Sequence, residues 1–151
     1  MFVSRKWAKN SVAFLFVTLV LVTACGDDHA PGNKALVTAQ SFFERVRDGD
    51  IDGALTYYDP IFFEAHPLET WRDYLMKART NLGVLKKISL SESQINTIYS
   101  GRQYFYVFVN NYERGNATET ITLMQPIDQP EIKIVSHKIE SLLLPETHAP
   151  K

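Results

Sequence analysis

Residues 104–109 read YFYVFV, an unbroken run of the aromatic and β-branched residues that favour a β-strand. The triplet at 114–116, Arg-Gly-Asn, predicts a hairpin loop into residues 118–123, TETITL, where Ile121 and Leu123 alternate with threonines. Along 104–109, bulky side chains fall on both faces of the strand, which predicts that both faces are covered. An antiparallel hairpin is therefore expected at the centre of the fold.

The segment before this hairpin has a helical pattern. Apolar residues recur at steps of three and four, at Leu36, Ala39, Phe43 and Val46. Asn33 is a suitable N-cap, and Asp-Gly-Asp at 48–50 predicts the helix end and the cap of a second helix over 51–58. A third helix is predicted from Pro67 to a left-handed cap at Gly83. Three helices thus precede the first strand.

Strand patterns follow Gly83. Residues 85–93 (LKKISLSES) and 95–99 (INTIY) precede the central hairpin, and 132–139 (IKIVSHKI) follow it. Helices first and consecutive hairpins afterwards predict an α+β fold, with three N-terminal helices packed on an antiparallel sheet of about four to five strands.

Three segments carry a resemblance to a known superfamily. They are residues 39–60 (AQSFFERVRDGDIDGALTYYDP), 69–83 (ETWRDYLMKARTNLG) and 119–126 (ETITLMQP), the last followed by IKIVSHKI. In this order they resemble the nuclear-transport-factor-2-like fold, and within it small bacterial exported proteins of unknown function. The resemblance covers most of residues 34–140. It implies a cone-shaped, cystatin-like arrangement, in which a strongly curved sheet wraps round a long first helix and encloses either an open pocket or a filled core.

The chain departs from this superfamily at the start of the last strand. Related chains have Trp, a basic residue and an aliphatic residue there, whereas this chain has Ile132, Lys133 and Ile134. An aromatic residue at the rim of the cone is therefore missing.

The first 25 residues have the layout of an export signal. Basic residues without acids are followed by the thirteen-residue apolar stretch 12–24, too short for a transmembrane helix. The exit, Val22-Thr23-Ala24-Cys25, resembles a bacterial lipobox, which implies cleavage before Cys25 and attachment of diacylglycerol and palmitate to it. The alternative is an ordinary signal peptide that leaves a free thiol.

These features predict the organisation of the chain and its location. We expect a lipoprotein signal peptide over 1–24, a lipid-anchored tether over 25–33, a single α+β domain over 34–144 and a flexible tail over 145–151. The residue after the cysteine is Gly26, whereas an Asp at this position resembles a signal for retention in the inner membrane of Gram-negative bacteria. In such a host, Gly26 favours the outer membrane, facing the periplasm. Without residues 1–24 the chain has 13 Lys and Arg against 17 Asp and Glu. The resulting formal charge of −4 makes nucleic acid an unfavourable binding partner.

Enzymes of the superfamily that this chain resembles place an Asp, His or Tyr inside the cone, where apolar surroundings tune its pKa. The residues of those types here are Tyr57, Tyr58, Asp59, His66, Tyr104, Tyr106 and His137. His137, Tyr106 and Asp59 are the catalytic candidates, but none completes a recognisable catalytic motif. Asp59 precedes a proline, which is typical of a turn.

Aromatic residues supply candidates for a ligand pocket. They are Phe43, Tyr58, Trp71, Tyr104, Tyr106 and Phe108. The alternative is that these rings fill a core. A basic group at the helix-to-strand junction either contacts lipid head groups or complements the helix end; its members are Lys77, Arg79, Lys86 and Lys87. The four histidines are scattered, so neither a metal site nor a cofactor other than the lipid is predicted.

Three functions are compatible with these observations. The leading hypothesis is a non-enzymatic, lipid-anchored extracytoplasmic domain that acts by contact with an envelope protein or by weak binding of a small apolar ligand. The alternatives are an isomerase- or lyase-like enzyme with an acid or base in the cone, and a structural envelope component. A homodimer through the sheet face is a further expectation.

Overall fold

The computed structural model describes residues 31–144, which form four helices and five strands in an α+β arrangement. The helices come first, and the strands follow in one antiparallel sheet. The helices are α1 (Pro31–Asp48), α2 (Ile51–Leu55), α3 (Phe62–Ala65) and α4 (Leu68–Leu82). The strands are β1 (Leu85–Lys87), β2 (Leu90–Ile98), β3 (Gly101–Tyr112), β4 (Asn116–Pro126) and β5 (Lys133–Glu140). The α+β class predicted from the sequence is confirmed.

The predicted central hairpin is formed by β3 and β4. These strands pair without interruption from Gly101 opposite Pro126 to Asn111 opposite Asn116. On the far side of β4 lies β5, and on the far side of β3 lie both β1 and β2, one after the other. The sheet is therefore a meander in which β2 and β5 are edge strands.

The ends of the helices differ in part from the sequence-based expectation. The helix α1 already begins at Pro31, so residues 31–33 belong to the helix and not to the predicted tether. The helix α2 ends at Leu55, before the predicted end at Tyr58, because Tyr58 forms a parallel bridge with Ile134 of β5. The helix α3 was not predicted, since four residues are too few to show a helical period.

Other boundaries agree with the sequence-based expectation. Asp50 caps α2 by accepting a hydrogen bond from the Gly53 amide at 2.9 Å. Gly83 has a φ of 82°, the positive value predicted for the residue that ends α4. Gly49, where the end of α1 was predicted, also has a positive φ, of 81°. The predicted signal peptide, Cys25 and the predicted tail over 145–151 lie outside the described residues.

All four helices lie on one side of the sheet, and the core fills the space between them. From β3, this core receives Tyr104, Tyr106 and Phe108, which are buried. The other face of β3 is not covered by the described residues, since Phe105 and Val107 are only half-buried and Val109 is 39% exposed. The expectation that both faces of this strand are covered is therefore wrong: the helices supply one layer and pack on one face.

Arg79 on α4 joins the end of α4 to the end of α1. Its guanidinium donates to the carbonyl of Val46 at 2.7 Å and to that of Arg47 at 2.9 Å. The last carbonyls of a helix have no partner within the helix. Arg79 brings a charged donor to that of Arg47 and to that of Val46, which also accepts from the amide of Gly49 at 3.1 Å. The sequence pattern predicts that Arg79 complements the end of its own helix, whereas these hydrogen bonds go to the end of α1.

We expect Arg79→Ala to lower the free energy of unfolding by about 1–3 kcal/mol, the range for lost hydrogen bonds to a charged group. Lys77→Ala is the matched control, because Lys77 is exposed on the same helix, and it should change stability by no more than about 0.5 kcal/mol. Urea unfolding of the two variants measures both values. Equal stabilities would contradict the assigned role of Arg79.

Candidate functional site

Polar side chains from three neighbouring strands meet inside the core. Asn110 of β3 stands diagonally across from Glu119 of β4, and Glu119 stands diagonally across from His137 of β5. In an antiparallel sheet, diagonal neighbours on the same face are close enough for long side chains to touch. All three residues are buried, at 0%, 2% and 6% exposure respectively.

An irregularity in β5 contributes to the position of His137. The pairing of β4 with β5 shifts between Thr122 and Leu123, which stand opposite Ser136 and Ile134. Val135 is therefore the extra residue of a bulge. Because of this shift, Ile134 faces the core in place of Val135, while His137 and Ile139 remain on the buried face.

Tyr58 reaches His137 from the other side. The chain leaves α2 and runs beside β5, where the amide of Asp59 donates to the carbonyl of Ile134 at 2.9 Å, and the amide of Ile134 donates to the carbonyl of Tyr57 at 2.9 Å. This parallel bridge places the Tyr58 hydroxyl 2.6 Å from Nδ1 of His137.

The hydrogen bonds form one continuous chain. Nε2 of His137 lies 3.1 Å from Oε2 of Glu119. The other carboxyl oxygen, Oε1, accepts from Nδ2 of Asn110 at 2.9 Å and from the hydroxyl of Tyr112 at 2.5 Å. We refer to Tyr58, Asn110, Tyr112, Glu119 and His137 as the polar cluster.

One protonation state satisfies every member of the polar cluster. If Glu119 is ionised it accepts at both oxygens, so Nε2 of His137 carries the proton and Nδ1 accepts from Tyr58. If Glu119 carried a proton, it would donate to Nε2, and the imidazole proton would then be on Nδ1. Nδ1 would donate to Tyr58, and the Tyr58 proton would have no acceptor, since the neighbouring Trp71 indole can only donate. The geometry therefore favours a carboxylate beside a neutral imidazole.

The surroundings of the polar cluster hold its tyrosines in the neutral form. Burial raises the pKa of Tyr58 well above its usual value; the Trp71 indole acts in the opposite direction, and the charge of Glu119 adds a smaller increase. Nε1 of Trp71 is itself buried without a hydrogen bond of normal geometry among the described residues. Burial, followed by the charge of Glu119, also raises the pKa of Tyr112. Both tyrosines therefore act as hydrogen-bond donors.

Aromatic rings cover the polar cluster. The ring of Phe42 meets that of His137 edge to face at 5.4 Å, and the Trp71 ring lies 5.7 Å from it. A void beside Glu119 has a volume of about 10 Å³, roughly what a single water requires. A substrate has no room there, so the polar cluster is part of the core in this conformation.

The predicted catalytic candidates have different positions. His137 is the centre of the polar cluster. Tyr106 is buried elsewhere and donates to the carbonyl of Gly32 at 2.9 Å, and burial raises its pKa to about 12. Asp59 is half-buried and accepts from the amide of Ile61 at 3.0 Å, the turn contact that its place before a proline indicated. These three residues do not converge on one site.

The predicted pocket-lining aromatics are all buried in the core. Phe43 packs against Phe108 at 4.9 Å, and Tyr104 donates to Oε1 of Gln125 at 3.0 Å. The six residues Phe43, Tyr58, Trp71, Tyr104, Tyr106 and Phe108 belong to one continuous cluster of buried side chains. In this structure they fill a core and do not line an open pocket, which was the alternative left open by the sequence.

Sequence reasoning missed Glu119, Asn110 and Tyr112. A signal for Glu119 was present in the sequence. Residues 119, 121 and 123 point to the same face of a strand, and Ile121 and Leu123 are the apolar residues that alternate with threonines there. A carboxylate at a core-facing position needs partners. Asn110 and Tyr112 likewise lie on the same face of β3 as the buried residues Tyr106 and Phe108, just after the apolar run ends.

Residues 31–144 also lack two features that would point to other functions. No group of three or more His, Cys, Asp or Glu side chains is arranged to hold a metal ion in this part of the chain. Within the same residues, no helix has both the length and the apolar character that crossing a membrane requires.

We expect Glu119→Gln to lower the free energy of unfolding by about 1–3 kcal/mol, the cost of leaving buried polar groups without partners. The Gln side chain accepts at one end only, so its NH2 group would face either Nε2 of His137 or the donors of Asn110 and Tyr112, and in both orientations the network of donors and acceptors is broken. Glu92→Gln, on the exposed strand β2, is the matched control and should be neutral. If urea unfolding gave the two variants the same stability, the assigned arrangement would be wrong.

Comparisons with known proteins give a likeness in fold. No family model matches the chain, and no curated protein matches it. A solved structure from Bdellovibrio bacteriovorus, of the protein Bd1075, matches with a TM-score of 0.52 and 16% sequence identity. The match covers 70% of this chain and 38% of that one, so the chain spans well under half the length of its structural neighbour. At this identity the likeness concerns the fold alone, and the chain is similar in architecture to part of Bd1075.

Proposed function

We propose that this chain is a bacterial lipoprotein whose domain acts on the outer side of a membrane, by contact with another protein or by weak binding of an apolar ligand, and without catalysis. A nuclear-transport-factor-2-like arrangement, anchored through diacylglycerol and palmitate on Cys25, is part of this proposal. The register of basic residues, apolar stretch, small residues and cysteine supports the anchor. With Gly26 after the cysteine, the proposed location is the outer membrane, facing the periplasm, if the host is Gram-negative.

One observation carries the non-catalytic part of the proposal. Among residues 31–144, the ionisable side chains that converge in the core are closed off from solvent: the His137 and Glu119 side chains are 0% and 2% exposed, and the void that touches Glu119 is of the size of one water. An acid or base must come within hydrogen-bond reach of the proton that it transfers. Because a substrate cannot come this close, the surface of the domain is the more plausible place of action.

A second candidate function is favoured by the same residues. Hydrogen bonds link Tyr58 to His137 and His137 to Glu119, so an acid, a base and a carboxylate that orients the base stand side by side, as in an isomerase- or lyase-like enzyme. For this candidate, the polar cluster would have to open to solvent in the native protein. The two candidates therefore differ in the accessibility of His137.

Modification by diethyl pyrocarbonate, which attacks neutral imidazole, distinguishes them. We expect His137 in the native protein to react much more slowly than in the denatured chain, because its exposure requires opening of the core. His66, half-buried in the loop after α3, is the internal control and should show little protection. Peptide mass spectrometry gives both rates. Protection of His137 no greater than that of His66 would favour the enzyme.

The anchor has its own test. We expect Cys25→Ser to abolish incorporation of labelled palmitate and to release the protein from the membrane fraction, because a thioether-linked diacylglycerol needs the thiol. Ser41→Ala, inside the folded domain, is a control that should retain both label and membrane. Label retained by the Cys25→Ser variant would rule out the lipoprotein.

A further inference from the structure

Three segments meet at one end of the domain, which we call the anchor end. They are the first turn of α1, the β2–β3 turn at residues 99–100 and the β4–β5 loop at residues 127–132. The amide of Ile127 donates to the carbonyl of Ser100 at 3.1 Å, which joins the turn to the loop. A shallow recess lined by Lys34 and Val37 of α1 and by Pro130 and Ile132 of the loop joins the loop to α1.

The chain enters the folded domain at this end. The carbonyl of Gly32 accepts from Tyr106 at 2.9 Å, and a Cβ placed on Gly32 would lie 2.9 Å from Cδ1 of Ile95. From there α1 runs away from the anchor end, since Phe43 packs on Phe108 further along β3. Ile95 is three residues before the end of β2, so the entry point lies about 10 Å from the β2–β3 turn.

The anchor end carries exposed apolar side chains on both of its tips. Tyr99 in the β2–β3 turn is 101% exposed, and Ile127 in the β4–β5 loop is 73% exposed. Ile98, at the end of β2, adds apolar surface beside them at 39%. The two tips line the same recess, so these side chains form one patch and are not scattered single residues.

The length of the chain before α1 limits what this patch can face. If Cys25 carries the lipid, the residues from Cys25 to the start of α1 can span at most about 25 Å, even when fully extended. The β3–β4 hairpin at the opposite end is about 35 Å from the β2–β3 turn along a twelve-residue strand. The entry point therefore lies nearer to the anchor end, and the hairpin end could reach the same bilayer only with the tether almost fully extended.

We propose that the anchor end is a membrane-contact surface, in which Tyr99 and Ile127 enter the interfacial region of the bilayer that holds the lipid anchor. This inference rests on the proposed lipidation of Cys25. The aromatic ring of tyrosine, with its polar tip, suits the level of the head groups. Charge has little part, because the exposed Lys34 and Arg102 near this end are balanced by Asp128 and Glu131. The occupant is therefore a lipid surface, including a zwitterionic one.

Contact with the bilayer would orient the domain. The lipid alone would leave the domain free to turn on its tether, whereas two inserted tips hold the sheet upright and direct the β3–β4 hairpin away from the membrane. The surfaces presented to partners are then the hairpin end and the open face of the sheet.

Fluorescence quenching by brominated lipid tests this contact on the lipidated full-length protein. The Tyr99→Trp variant is reconstituted into phosphatidylcholine vesicles with and without brominated acyl chains, and the signal of the unsubstituted protein is subtracted. Leu142→Trp is the matched control, because Leu142 is 105% exposed and follows β5 near the opposite end. We expect Tyr99→Trp to be quenched at least about twofold with a blue-shifted emission, and Leu142→Trp to be unchanged.

Each other outcome contradicts the proposal in a distinguishable way. In one such outcome, the protein floats with the vesicles and yet shows equal quenching at both positions, or no quenching at position 99. Either result contradicts the membrane contact and is compatible with the lipid anchor. A blue shift at position 99 without quenching, growing with protein concentration, identifies a second copy of the chain as the occupant. Absence of lipid on Cys25, detected by mass spectrometry and by failure to float, overturns the proposed anchor and this inference together.

Adding Ile127→Ser to the Tyr99→Trp variant provides a second measurement. Removal of one apolar tip should lower the quenching at position 99 and leave flotation unchanged, because the lipid supplies attachment and the tips supply orientation. Unchanged quenching would show that Ile127 does not take part.

Discussion

The buried carboxylate of Glu119 is the constraint on which most of this structure depends. A charge at 2% exposure costs several kcal/mol if it lacks partners, so the fold has to bring donors to both of its oxygens. Those donors come from β3, from β5 and, through His137, from the segment after α2. Asn110 in turn lies 3.4 Å from the amide of Ser89, between β1 and β2. One carboxylate thus specifies the register of the meander and the path of the chain beside β5.

This arrangement also explains why the core contains so many rings. Hydrogen bonds in a polar cluster are stronger where water is excluded, and the edges of Phe42 and Trp71 exclude it around His137. The aromatic residues that suggested a ligand pocket therefore have a structural use, which is to keep a charged, hydrogen-bonded group dry. The ionisable groups that converge in this domain therefore lie inside it, while one face of the sheet is left open among the described residues.

Much of the fold was accessible from local patterns. The hairpin of β3 and β4 follows from YFYVFV and Arg-Gly-Asn, and the ends of α1 and α4 follow from Gly49 and Gly83, because each depends on neighbours in sequence. The early end of α2 was not accessible, because it arises from the bridge between Tyr58 and Ile134, which are far apart in the chain. The bulge at Val135 was not accessible either, because it depends on the register in which β5 pairs with β4. In the polar cluster, His137 and Tyr58 were candidates because of their residue types. Their partner Glu119 was recognisable only because it lies on the same face of β4 as Ile121 and Leu123.

The sequence by itself determined the α+β order, the central hairpin and the prediction of an export signal that ends at a lipid-modified cysteine. Helix periods, strand alternation and turn residues are local properties, so they can be read from neighbouring residues. Only the tertiary structure decided that the aromatic residues fill a core, that one face of β3 stays open, and that Tyr58, His137 and Glu119 form one network. Each of these depends on how closely distant segments pack, and the size of the space left between them is a property of the folded chain alone.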